Sequence, residues 1–117
     1  KHISVVRESN TTKIYLDGTL VNTPSTSVTG TLSVNNIVTL GRAAINLTGA
    51  YNGYIDAFRI SNTARYTANF TPSTTAFTSD ANTRLLIHSD TTNASIAFTD
   101  SSNAEKETRL HGWAVNY

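Results

Sequence analysis

Turn signals interrupt this chain so often that no apolar run grows beyond three or four residues, as in Arg84-Leu85-Leu86-Ile87. What recurs between the interruptions is the two-residue alternation of β-branched and aromatic side chains, the period of a strand and not of a helix. Residues 2–7 form a β-branched run, and in Thr12-Lys13-Ile14-Tyr15-Leu16 the side chains of Ile14 and Leu16 share one face. The polar Glu8-Ser9-Asn10-Thr11 between them reads as a hairpin loop. Asp17-Gly18 is the residue pair that tolerates positive φ in a type I′ turn, so Thr19-Leu20-Val21 returns as the next strand of a second, tight hairpin. Residues 22–31, Ser/Thr-rich with Pro24 and Gly30, suit a surface connection.

Further along, a strand is expected at 37–41 and another over 51–61, where the alternation slips. Ile55 and Ala57 fall on one face and Tyr54, Phe58 and Ile60 on the other, so either both faces are covered or a bulge re-registers the strand. Tyr66 and Phe70, four apart, would share one side of a single helical turn that Pro72 ends by restricting Thr71. Strands follow at 83–88 and 94–98. The stretch 107–115 alternates as a strand, with a short helix over 102–109 as the rival because Ser102 and Glu105 match a capping box. Eight short strands and no amphipathic helix define an all-β, antiparallel β-sandwich.

Composition agrees. Ser, Thr and Asn fill 44 of the 117 positions, residues that favour turns and solvated strand faces over helix interiors. Charged side chains make up 15%, with a formal net charge of +1, so neither nucleic acid nor an anionic membrane is an expected partner. No run approaches the roughly 20 apolar residues of a membrane-spanning helix. The absence of cysteine excludes disulfides, thiolate metal sites and cysteine nucleophiles. Methionine is also absent and Lys1 stands first, which sets the expectation of a piece of a larger, modular protein.

Four segments in order resemble the laminin-G-like, concanavalin-A-like jelly-roll domains abundant in bacteriophage structural and tail proteins. They are Lys1-His2-Ile3-Ser4-Val5-Val6-Arg7 followed by Lys13-Ile14-Tyr15-Leu16-Asp17-Gly18; Leu40-Gly41-Arg42; Asn52-Gly53-Tyr54-Ile55-Asp56-Ala57-Phe58-Arg59-Ile60-Ser61; and Ala64-Arg65-Tyr66-Thr67-Ala68-Asn69-Phe70-Thr71-Pro72. Ala57, Ser89 and Thr91 depart from the pattern, standing where an acidic residue, an aromatic and a glycine are commoner. The resemblance implies a jelly roll in which residues 1–82 are the second half of one domain. Residues 83–117 would then be closing strands of the same sandwich or opening strands of a following module.

Catalytic groupings are not expected. Asp56 is the only acid within a strongly expected strand, whereas a retaining glycosidase needs two carboxyls roughly 5 Å apart. His2, His88 and His111 stand at no recognised catalytic spacing, and the glycine patterns of nucleophile elbows and phosphate loops are missing. Asp90 and Asp100 could converge with backbone carbonyls on a Ca²⁺, the competing reading being solvated loop acids. Tyr51, Tyr54 and Trp113 offer flat faces for a sugar ring, against the alternative of core packing. Asp17, Gly18, Asp56, Arg59, Tyr66, Phe70 and Pro72 are expected to be structural, Asp56 and Arg59 as an ion pair or, alternatively, in contact with a ligand. The expectation is therefore a non-enzymatic display module of a virion tail, fibre or capsid surface, packing against other virion subunits and against its own copies without a cofactor. The alternative is a carbohydrate-binding adhesin for host-surface glycans. Either would stand at a virion surface or outside the cell.

Overall fold

The computed structural model describes residues 1–23, 39–42, 49–92 and 95–103. Five strands are present in that set, all paired antiparallel, with no helix among the described residues. No helix there is long and apolar enough to cross a membrane. The chain divides into two compact units, Lys1–Asp56 with Ala64–Pro72, and Ala57–Thr63 with Ser73–Tyr117.

The first unit is built on a meander of β1 (Ile3–Glu8), β2 (Thr11–Leu16) and β3 (Thr19–Asn22), in that spatial order. Pairing runs from Ile3 opposite Leu16 to Glu8 opposite Thr11. The first hairpin is therefore tighter than the four-residue loop its polarity suggests. Only Ser9 and Asn10 lie outside the strands, and Ser9 takes φ of 55°. In the second hairpin both Asp17 (φ 49°) and Gly18 (φ 81°) are left-handed, the backbone of a type I′ turn. β2 and β3 slip register between Ile14 and Tyr15, whose partners are Asn22 and Leu20, so Val21 is the extra residue of a bulge.

Alternation sorts the meander into two faces. Ser4, Val6, Lys13, Tyr15 and Leu20 are linked as cross-strand partners on one side; Tyr15 and Val6 are buried there. Aromatic rings assemble over this side. Phe70 meets Tyr15 edge-on at 5.6 Å between centroids and stacks on Tyr66 at 3.6 Å, and His2 stands edge-on to both Tyr66 and Phe70. Such geometry adds roughly 0.5–1.5 kcal/mol per ring pair beyond area burial.

Tyr66 and Phe70 thus share a side, but through no helical turn. The segment's polar groups are spent on the meander: Phe70 N donates to Gly18 O (2.9 Å), Asn69 Oδ1 accepts from Leu20 N (2.8 Å), and Thr67 O accepts from Lys13 Nζ (2.9 Å). Residues 64–72 form a strap, tied to β2, the turn and β3.

In the second unit β4 (Ala57–Ser61) pairs with β5 (Thr83–His88), with a register slip between Ile60 and Ser61 that leaves Arg84 as the extra residue. The extra residue thus lies on the partner strand and not within 51–61, where a bulge was one of the two expected readings, and the strand itself is shorter, because 51–56 lie outside any ladder. Leu86 and Thr83 are buried, and the Arg59 guanidinium lies 4.3 Å from the centroid of Phe77, a cation–π contact. Asp80 holds the approach to β5: its carboxylate accepts from Asn82 N and Thr83 Oγ1. No strand forms over 95–99, contrary to the expectation for 94–98; chain pairing to β5 occurs instead at Asp100, opposite Ile87. Of the strand expected at 37–41, residues 39–41 are irregular and 37–38 lie outside the described residues, as do Trp113 and most of the alternatives over 102–115.

Both residues of the turn are sensitive to substitution. A Cβ on Gly18 would collide with the carbonyl oxygen of Phe70 on top of its positive φ. Gly18→Ala should therefore lower the unfolding free energy by more than about 2 kcal/mol in urea titration, and a loss below half of that would refute the close packing. The Asp17 carboxyl is held below its ordinary range, first by the hydrogen bond from the Lys1 side chain and then by the His2 amide. Its stabilisation is present above the unfolded carboxyl pKa and is lost as pH falls through the lower folded value. The midpoint gap between the wild type and Asp17→Asn should accordingly shrink on acidification; a gap constant at every pH would count against it.

Candidate functional site

The most exposed aromatic surface of the described residues belongs to the loop 49–56 and the bend 39–42 of the first unit. Gly41, at φ of 80°, allows a reversal open to few other residues. Its carbonyl accepts from Tyr51 N at 2.7 Å, and Ile55 Cδ1 comes within 3.8 Å of where a Cβ would stand on Gly41. Thr39 Oγ1 donates to Arg42 O and closes the bend. The Tyr51 ring folds over Gly53, with Cζ, Cε1 and Oη 2.6–2.7 Å from a Cβ position that glycine leaves empty. A side chain at 53 would displace that ring.

The result is a shelf. Tyr51 remains 61% exposed and Tyr54 is fully exposed, and Leu40 and Ile55 of the same two segments are also exposed. Exposed phenol rings can stack on a flat ligand and hydrogen-bond at their hydroxyls. The only carboxylate in 39–56 is Asp56, exposed immediately before β4, whereas glycoside cleavage requires paired carboxyls. Arg59, on β4, lies over Phe77.

Asp90 is exposed. Asp100 is half-buried, and its carboxylate is occupied: Oδ1 accepts from Leu86 N (3.0 Å) and Ser102 N (2.8 Å), and Oδ2 from Ser102 Oγ (3.0 Å). Among the described residues no three His, Cys, Asp or Glu side chains gather as a metal-binding group.

A second surface was not legible in the sequence. On the outer face of the meander Ile3 stands opposite Leu16 and Val5 opposite Ile14, and Ile3, Val5 and Leu16 are 71%, 68% and 39% exposed. Alternation announces that these side chains share a face; it does not say that the opposite face is the one the strap covers.

Against this geometry, residues 1–70 match the family model described as the concanavalin A-like lectin/glucanases superfamily, and the chain belongs to that family. The antiparallel ladders agree with the β-sandwich jelly roll that the family implies. No curated protein and no solved structure gives a significant match. Domains of the laminin-G and lectin type are generally non-enzymatic, and the family serves both carbohydrate binding and structural roles.

The two kinds of residue separate by stability. Tyr54→Ala should leave the unfolding free energy within about 0.5 kcal/mol of the wild type. Asp100→Ala, which strands the amide of buried Leu86, should cost about 1–3 kcal/mol by chemical denaturation. Equal effects from both would contradict these placements.

Proposed function

We propose that this chain is a non-enzymatic display module of a phage virion, a tail, fibre or capsid-surface component that acts by packing against neighbouring subunits, copies of itself included. The observation that carries the reading is the aliphatic ladder Ile3/Leu16 and Val5/Ile14 on the meander, in which Ile3, Val5 and Leu16 are exposed and Ile14 is half-buried. A soluble monomer rarely leaves such contiguous apolar positions uncovered without an interaction to use them. The virion context rests on the likeness of segments 52–61 and 64–72 to phage-type jelly rolls, and near-neutral charge suits protein packing more than binding to nucleic acid or membrane.

Sedimentation of the full chain tests the packing. Wild type should self-associate with rising concentration, and Val5→Lys, which sets a charge on that face without touching Tyr15 or Val6, should remain monomeric with an unchanged circular dichroism spectrum. A wild type monomeric throughout would overturn the self-packing part, and failure of an antibody to this chain to label virions would overturn the virion part.

The alternative reading, a glycan-binding adhesin, is favoured by the exposed Tyr51 and Tyr54 shelf. A glycan array run with Ca²⁺ and with chelator should then show binding that Tyr51→Ala abolishes. Silence in both conditions would remove it. Loss of signal in chelator alone would point to Ca²⁺, with Asp90 and Asp100 as the acids to replace first.

A further inference from the structure

Of the twelve asparagines, Asn52 alone precedes a glycine. Both residues are exposed and lie outside any strand, and among the described residues neither makes a hydrogen bond. From this we infer that Asn52-Gly53 is a self-modifying site, at which the chain converts its own asparagine to aspartate and isoaspartate between the two tyrosines of the shelf.

The chemistry follows from what glycine lacks. Without a Cβ, the Gly53 nitrogen can approach the Asn52 side-chain amide from directions closed to other residues. The Gly53 amide gives up its proton and attacks Cγ of Asn52; the N–Cγ bond forms, the Cγ–Nδ2 bond breaks, and ammonia leaves carrying that proton. Water then opens the resulting cyclic imide at either carbonyl, giving aspartate or isoaspartate. Nothing is oxidised or reduced, and the net exchange is an NH for an O. Asparagine is among the thermally labile residues for such reasons.

The other place where a side-chain carbonyl precedes glycine is locked. At Asp17-Gly18 both carboxylate oxygens are hydrogen-bonded, to Lys1 Nζ and His2 N, and Gly18 is buried against Phe70. At Asn52-Gly53 both residues are exposed, and the three atoms nearest a Cβ on Gly53 all belong to the Tyr51 ring. Conversion would place a new negative charge between Tyr51 and Tyr54. In the isoaspartyl form it would also add a methylene to the backbone and shift Gly53 beneath the ring. The inference stands whether or not the shelf binds sugar.

The test is incubation of the full chain at mildly alkaline pH, where the attacking amide deprotonates more readily, with a mildly acidic sample as reference. Peptide mapping by mass spectrometry should show the NH-for-O mass gain on the Asn52 peptide, faster in the alkaline sample, together with isoaspartate. Asn52→Gln should lack both; it is a better control than Gly53→Ala, whose Cβ would meet the Tyr51 ring. A free Tyr-Asn-Gly-Tyr-Ile peptide supplies the unprotected rate. If that peptide converts while Asn52 in the chain stays intact, or if Asn52→Gln accumulates the same mass gain, the inference is wrong.

Discussion

The approach of the Phe70 carbonyl to the Gly18 turn is the constraint on which the first unit depends. A residue with a side chain could not stand there, and the positive φ at both Asp17 and Gly18 makes the same demand for the turn itself. With the turn and strap locked together, Phe70 N reaches Gly18 O, and Phe70 then lies where Tyr15, Tyr66 and His2 can pack against it. Asp17 binds the start of the chain to the same point through His2 and Lys1. The turn is thus a junction of three chain segments, and the aromatic cluster is its consequence.

The second unit solves an edge problem by different means. Beyond β5 the chain runs as 100–103, and instead of a full ladder it offers one bridge, the Ser101 amide donating to Leu86 O, and the Asp100 carboxylate accepting Leu86 N. A side chain does the work of a backbone acceptor. That keeps a buried donor satisfied at a place where few backbone pairs form.

Much of this was legible in the sequence where a residue type has few permissible settings. Asp17-Gly18 admits few backbones, so the turn could be read directly. The spacing of Tyr66 and Phe70 correctly joined them on one side, yet the helix it suggested does not exist, because the amide of Phe70 and the carbonyl of Thr67 are claimed by the meander 50 or so residues earlier in the chain. The run 51–61 is a strand only from Ala57; the amide of Tyr51 goes to Gly41, a long-range bond that local alternation cannot register. For the candidate site, Tyr51 and Tyr54 could be named from residue type, whereas the bond from Tyr51 N to Gly41 O and the approach of Ile55 to Gly41 arise only through folding. That the amide of Leu86 takes an oxygen of Asp100 could not be read from the neighbours of either residue, because the bond spans 14 positions.

The bulge at Val21 has a consequence for how the chain can change in length. In a regular ladder, loss of one residue turns every following side chain to the opposite face. Here Leu20 faces with Tyr15 and Asn22 with Ile14, and Val21 alone is surplus to the pairing. Its removal would leave Asn22 opposite Ile14 with the alternation intact. One-residue deletions should therefore be borne at 21 in β3 and not in β1, where Ile3–Glu8 pairs residue for residue.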